Sequence, residues 1–467
     1  MRIEENKDMF ESRALPVTVI VVAVLVVLVF LGIGIFRAGP APEIRIQAAQ
    51  PAIGKRTPVR IDVAEPVRGL SHVKVEFIQG EKVDVLADKS YPFRSAWSFW
   101  GTRTQHDTLS LDVGRDTISG LKGGTAIIRA RADRTGTWLR SPNPAAEELS
   151  LPVRLTPPSL QLMSSQTYVN QGGCEVVVYR VGESSVRDGV LAGDWWFPGY
   201  PLPGGDKQDR FAFFAVPYNM TEPKVKLVAA DAIGNEAERS FIDKFFPKKY
   251  KADSVEVSDA FVGRVVPEIL GQSPELQDRG NLIDNYLQIN NELRRKNGVA
   301  LKELAAKSRA EFVWNKSFIP IPNGKVMAGF ADHRTYHYAG KEIDQQDHLG
   351  YDLAVTAQAP IPAANDGTVV LAQFLGIYGN AVIIDHGYGL ASLYGHLSSI
   401  AVKAGQKVAR GDIIGKTGAT GLAGGDHLHF AVLLQGLPVN PTEWWDSHWI
   451  RDRIASKLGS AFKFEGS

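Results

Sequence analysis

Residues 427–434 read His-Leu-His-Phe-Ala-Val-Leu-Leu. Side chains two apart on a β-strand point to the same face. Leu428, Phe430 and Val432 therefore face a core, while His427 and His429 look into one groove. A His-x-His pair alone is a weak signal. His348-Leu349-Gly350-Tyr351-Asp352 strengthens it, because an imidazole and a carboxylate four residues apart are suitable zinc ligands. Together the two motifs supply three ligands and leave a fourth tetrahedral position for water. Catalytic zinc has that arrangement, whereas structural zinc is closed by four protein ligands. His396, after Tyr394-Gly395 at a strand end, adds another imidazole, and eight of the ten histidines lie beyond residue 330. The chain has no His-Glu-x-x-His, so no helix-borne glutamate base is available, and a histidine is the natural proton carrier.

The surrounding segments are strand-like. GTVVLAQF (367–374), NAVIIDHG (380–387) and LASLYGHL (390–397) are separated by glycine-rich turns, a pattern that predicts an antiparallel sheet from about residue 319. GKTGATGLAGGDH (415–427) lacks the strand–Gly-Lys-Thr/Ser–helix context of a phosphate loop. His386 lies in a turn and is assigned a structural role. His333 and His337 flank Arg334 in a polar loop before His348; two readings stand equally, a loop lining the substrate groove with Arg334 facing a peptide carboxylate, or a polar loop that only faces solvent. Trp444, Trp445 and Trp449 are read as anchors of a C-terminal helix or tail over 446–467.

Upstream, short alternating segments such as HVKVEFI (72–78) and TAIIRARAD (125–133) predict a β-sandwich over 43–156. Pro157-Pro158 separates it from a second stretch of the same texture over 157–250, including CEVVVYRV (174–181). Ala132-Asp133 followed by Gly136 recurs 98 residues later as Ala230-Asp231 followed by Gly234, a spacing close to one immunoglobulin-like domain. His72 and His106 stand alone in this region and carry no cluster. Leu282, Tyr286, Ile289 and Leu293 share one helical face, so two or three helices are expected over 258–308, interrupted at Asn297-Gly298.

Residues 14–36 carry no charge before Arg37 and are long enough to span a bilayer, longer than the apolar part of a secretory signal. The expectation is a head (1–13) in the cytoplasm, a single transmembrane anchor (14–36) in the bacterial inner membrane, and everything beyond it exported. The flanking basic residues Arg2, Lys7, Arg13, Arg37 and Arg45 give only a weak orientation bias. At 467 residues, 44% hydrophobic and 22% charged, the chain is long enough for several globular domains; its net charge of +1 and lack of a basic block speak against nucleic acid. Cys174 is the single cysteine, so no intramolecular disulfide exists, and it reads as a buried thiol.

The joint occurrence of HLGYDLA (348–354), YGNAVIIDHGYGLASLYGHLS (378–398), GQKVARGDIIGKTGATG (405–421) and HLHF (427–430) resembles the lysostaphin/LytM family of zinc endopeptidases. The resemblance covers roughly residues 320–441, within an expected peptidase domain at 319–445. It implies one zinc ion held by His348, Asp352 and His429, with His396 and His427 assisting catalysis. Tyr378 and Asn380 join Arg334 as expected substrate-binding residues. The implied substrate is peptidoglycan, and the implied reaction is hydrolysis of its peptide cross-links, D-alanyl–diaminopimelate before oligoglycine. Relatives that have lost ligands act only as activators of wall hydrolases, which leaves an activator or scaffold as the alternative; none of the five positions departs from the pattern. An intact hydrolase needs restraint, so the β modules or the 258–308 helices are expected to cover the groove in part, with or without a regulatory protein.

Overall fold

The computed structural model describes residues 8–36, 40–92, 102–137 and 143–466, with side chains of the first helix limited to residues 17–32. That helix, α1 (Asp8–Phe36), exposes Val17 to Phe30 in a nearly unbroken apolar surface. Among the described residues no helix is long and apolar enough to cross a membrane. The expected head (1–13) and the remainder of the 14–36 span lie wholly or partly outside the residues whose side chains are described.

The chain forms two compact units that divide at Pro157/Pro158, with residues 231–235 grouped with the first. In the first unit, Glu43–Ala48, Thr57–Ala64 and His106–Val113 form one sheet. The other runs in the order Lys82–Ser90, Leu70–Gln79, Gly124–Arg134, Ala145–Val153. Alternation explains the pairing: Val59, Ile61 and Val63 point inward against Val73, Val75, Phe77 and Ile128, and each such burial contributes about 1.5–3 kcal/mol. Arg60 and Asp62 point outward and pair with each other at 2.9 Å.

The second sandwich has the same strand plan. Leu160–Leu162, Cys174–Val181 and Asp209–Ala215 form one sheet, extended by Tyr200–Pro201. Trp195–Pro198, Ser185–Ala192, Val225–Asp231 and Glu236–Arg239 form the other. In both modules the Ala-Asp doublet closes the penultimate strand before the last hairpin, with Ala132 opposite Ala145 and Ala230 opposite Glu236. The sequence repeat therefore marks one topological position.

Three helices follow: α2 (Asp259–Gln272), α3 (Leu282–Gln288) and α4 (Arg294–Ala305), the last two joined by a π-turn, Ile289–Leu293. Ser258 and Asn281 cap α2 and α3 by accepting from Phe261 N and Asp284 N. Tyr286, Ile289 and Leu293 are buried, whereas Leu282, in the first turn, is 42% exposed. Contrary to expectation, Asn297-Gly298 does not interrupt the helices; the break falls between α2 and α3. Asn297 is buried inside α4 with its Oδ1 accepting from Ile377 N, so its polar side chain serves a tertiary contact and no turn forms.

The C-terminal sheet is antiparallel throughout. Its order is Lys325–Ala328, Tyr351–Ala354, Leu428–Leu434, Leu390–Gly395, Asn380–Gly387, Gly367–Phe374, Lys407–Val408. Leu428, Phe430 and Val432 join a core with Tyr394 and Trp444. Trp444 packs among Trp314, Phe318 and Trp449, and Trp445 stacks on Phe430, so these tryptophans seat the short terminal helices. Cys174 is fully buried and its thiol is pushed well up by burial.

Glu443, at the start of the terminal helices, is buried against the turn Gly172-Gly173 and accepts from Cys174 N at 2.7 Å and Asn170 Nδ2 at 2.8 Å. A Cβ on Gly173 would lie 2.3 Å from Glu443 Oε1, so only glycine fits there. Burial pushes Glu443 up to about 7, against these hydrogen bonds and with help from the Glu175 carboxylate. Because the folded value is raised, the folded state binds an extra proton between the unfolded value and about pH 7. The associated stability is full below that window and is lost as pH rises through it. Glu443→Gln should remove this dependence. Denaturant melts from pH 4 to 8 should show the natural protein losing roughly 3 kcal/mol more than the variant over the range, and parallel profiles would contradict the assignment.

Candidate active site

Strand register brings the histidine and carboxylate motifs together. Asp352 is the direct partner of His429 across the sheet, and Gly395, just before His396, is the partner of His429 on its other side. His348 enters from the end of Lys341–His348, opposite Asp332. Gly350 lies so close to the His429 ring that a Cβ there would fall 2.6 Å from its Cε1 and Nε2, which explains the glycine between His348 and Asp352.

Three atoms converge. His348 Nε2 is 2.9 Å from Asp352 Oδ1 and 3.1 Å from His429 Nδ1, and His429 Nδ1 is 3.0 Å from Asp352 Oδ1. All three residues are buried and form the one group of potential metal ligands among the described residues. His348 Nδ1 donates to Gly329 O at 2.8 Å; a carbonyl can only accept, so Nε2 is left as a lone pair. Asp352 Oδ1 is anionic. A proton on His429 Nδ1 lies along one direction only, whereas a cation among the three atoms satisfies them all. Two imidazole nitrogens and one carboxylate oxygen are a donor set suited to Zn2+. His429 Nε2 is buried with no hydrogen-bond partner among the described residues, and it faces away from this convergence.

His396 and His427 complete the cluster, their rings 4.9 Å apart. His396 has φ of +66°, a left-handed conformation that a non-glycine residue adopts only under constraint. The constraint is visible: its N donates to Tyr378 O at 2.7 Å and its Nδ1 to Thr420 O at 2.8 Å. His427 Nδ1 donates to Gly425 O at 2.8 Å, and its Nε2 stands 3.4 Å from Asp352 Oδ1. Both rings thus turn Nε2 away from backbone carbonyls. Burial holds His396 well below its ordinary range and His429 at about 4. Burial alone would lower His427, but the hydrogen bond and charge of Asp352, with the bond to Gly425 O, together raise it. Burial alone would raise Asp352, but hydrogen bonds and charge from His348, with His427 and His429, hold it well below the usual carboxylate range.

Arg334 lines the cavity, and its Nη2 also donates to Asp352 Oδ2 at 2.9 Å, the oxygen not turned to the histidines. Tyr378 lines the cavity with its ring 5.5 Å from His429. Asn380 is set back: its Nδ2 donates to Leu397 O and its N to Thr420 Oγ1, so it shapes the loop under His396. His333 pairs with Asp347 at 2.9 Å, and His337 Nδ1 lies 3.1 Å from Ser254 Oγ. His386 is buried away from the cluster, between Asp366 O and Ser392 Oγ.

The groove is a cavity of about 680 Å³ walled on one side by α2, α4 and the loop at Pro217-Tyr218-Asn219. Arg264 on α2 donates to Ala419 O and Ala423 O at 3.1 and 2.5 Å, and Glu268 accepts from Gly421 N at 3.2 Å. The loop leading to His427 is thereby held by α2. Sequence reading did not find Arg264, Glu268, Asn297 or Thr420 as site residues. The one local signal was the four-residue spacing of Arg264 and Glu268, which puts both on one helix face.

Residues 346–441 match the model of Peptidase family M23, and this stretch is a domain of that family. Among similar proteins, the peptidoglycan DD-endopeptidase ShyA of Vibrio cholerae is 34% identical over 169 residues, 36% of either chain. The DD-carboxypeptidase/endopeptidase Mpg of Neisseria meningitidis is 42% identical over 94 residues, 20% of this chain and 22% of that one. The matched stretches thus span about a third and about a fifth of these relatives. Among solved structures, the catalytic domain of the antimicrobial peptidase lysostaphin from Staphylococcus simulans is 28% identical, covering 26% of this chain and 92% of that one with a TM-score of 0.23.

Single replacements should separate the cluster into two classes. Alanine at His348, Asp352 or His429 should lower zinc content and activity together. Alanine at His396 or His427 should leave zinc bound while turnover falls roughly 10²–10⁴-fold. Arg334→Met, which removes the bond to Asp352 Oδ2, should weaken zinc affinity about 10–100-fold. Metal analysis beside turnover decides each case: zinc lost from His427→Ala and kept by His429→Ala would reverse the assignment within residues 427–429.

Proposed function

We propose that this chain, through its M23 domain, is a membrane-held zinc endopeptidase that hydrolyses peptide cross-links of bacterial peptidoglycan, at D-alanyl–diaminopimelate bonds. The observation that carries the reading is the convergence of His348 Nε2, Asp352 Oδ1 and His429 Nδ1 at about 3 Å, with two further imidazoles against them at the floor of an open groove. The names of the relatives ShyA and Mpg, a DD-endopeptidase and a DD-carboxypeptidase/endopeptidase, support the choice of bond.

His348, Asp352 and His429 would hold one Zn2+, which when bound supplies Lewis acidity to the scissile carbonyl and to water. The remaining chemistry belongs to the chain. Water adds to the carbonyl carbon as its proton passes to an imidazole Nε2 of His396 or His427, and the C–N bond breaks as that proton reaches the leaving amine. The Nδ1 bonds to Thr420 O and Gly425 O fix both rings in the tautomer that this transfer requires. Arg334 keeps Asp352 oriented by its bond to Oδ2. The anchored reading is supported by the uncharged run from Ala14 to Phe36, and a wall substrate requires that the groove be exported.

Mass spectrometry of wall digests tests the bond. The full chain should convert D-alanyl–diaminopimelate cross-linked dimers to monomers, chelator should stop it, and zinc should restore it; intact dimers beside cut oligoglycine bridges would overturn the assignment. A reporter fused after residue 60 should be active only outside the cytoplasm and remain membrane-bound. Activity confined to the cytoplasm, or a released shortened protein, would contradict the anchor.

A further inference from the structure

The helical wall of the groove carries a charge pattern that the hydrolytic chemistry does not use. On the sheet face that bears His427 and His429, the next residues are Ala431 and Leu433, and Leu301 and Leu304 of α4 pack over them. Asn297 of α4 also holds the turn Gly376–Tyr378 through Ile377 N at 3.0 Å. α4 is thus a fixed wall beside the reacting centre.

Arg294, Arg295 and Lys302 of this helix line the same cavity as the three metal-binding residues. The acids facing them are largely engaged. Asp352 takes Arg334 and the histidines, and Asp347 takes Tyr218 Oη at 2.8 Å and His333 at 2.9 Å. Glu256 is the lining carboxylate with no bonded partner among the described residues. Against it stand three cations. Arg294 uses Nε and Nη2 on Asn290 of the preceding turn, at 3.1 and 2.6 Å, and keeps its charge. Arg295 and Lys302 have no carboxylate within ion-pairing distance among the described residues. The Lys302 ammonium lies 3.7 Å over the Trp195 ring, which holds it at the groove without neutralising it. Between these cations sits Gly298, where a Cβ would meet nothing within 4 Å.

We propose that α4 is a carboxylate-recognition wall, in which Arg295 and Lys302, with Arg294, bind free carboxylates of the substrate peptide beside the scissile bond. The inference rests on the groove being a peptide-hydrolysing site and names its substrate class: peptides with free carboxylates in preference to the same peptides carrying carboxamides. Replacing a carboxylate by its amide keeps the shape and removes the charge, so the comparison isolates the wall.

Two synthetic cross-linked peptides, identical except that the carboxylates flanking the scissile bond are free or amidated, test it on the full zinc-loaded chain. Affinity by fluorescence polarisation and kcat/KM are both measured. The free form should bind at least about tenfold more tightly. That gap should shrink with added salt. Arg295→Gln with Lys302→Gln should close it, and Arg295→Lys with Lys302→Arg should keep most of it. Equal affinity for the two peptides overturns the proposal, as does a gap that survives the double glutamine variant. If both peptides are cut at equal rates and bound equally, the wall fails and the hydrolytic reading stands. If the free form binds more tightly and neither is cut, carboxylate recognition stands and the hydrolytic reading fails.

Discussion

Two imidazole nitrogens and one carboxylate oxygen, of His348, His429 and Asp352, stand at about 3 Å from one another in a buried pocket. Acceptors brought together out of water are costly unless a positive charge lies between them. Much of the C-terminal structure answers that constraint. The register sets Asp352 against His429, Gly350 yields its side-chain space to the His429 ring, and Gly329 O turns the lone pair of His348 inward. Arg334 occupies the other oxygen of Asp352, leaving Oδ1 for the centre.

The second layer of support is borrowed from upstream. α2 grips the loop ahead of His427, α4 grips the turn at Tyr378, and Glu443 seats the terminal helices on the second sandwich. Metal-site geometry depends on such supports as much as on the ligands. Within this unit the helices wall the groove and leave a cavity of about 680 Å³ between them and the strands.

Much of this was legible in the sequence because it obeys short-range rules. Alternation put His427 and His429 on one face and Leu428, Phe430 and Val432 in the core. The Ala-Asp repeat was visible because the two copies fall at the end of corresponding strands in two sandwiches of one plan. What escaped depends on contacts between distant residues. Arg264 meets Ala419 and Ala423 across more than 150 positions, and no periodicity records that. Asn297-Gly298 looked like a helix break because both residues have low helix propensity; tertiary packing of Asn297 against Ile377 overrides that local preference. Arg334 read as a free cation because its partner, Asp352, lies on another strand.

Anomalous diffraction at the zinc edge from crystals of the full chain tests the central claim most directly. The account predicts a single strong peak per C-terminal domain, bonded to His348 Nε2, Asp352 Oδ1 and His429 Nδ1, with no bond to His396 or His427. A peak bonded through His427 or His396, or one bound away from Asp352, would contradict it.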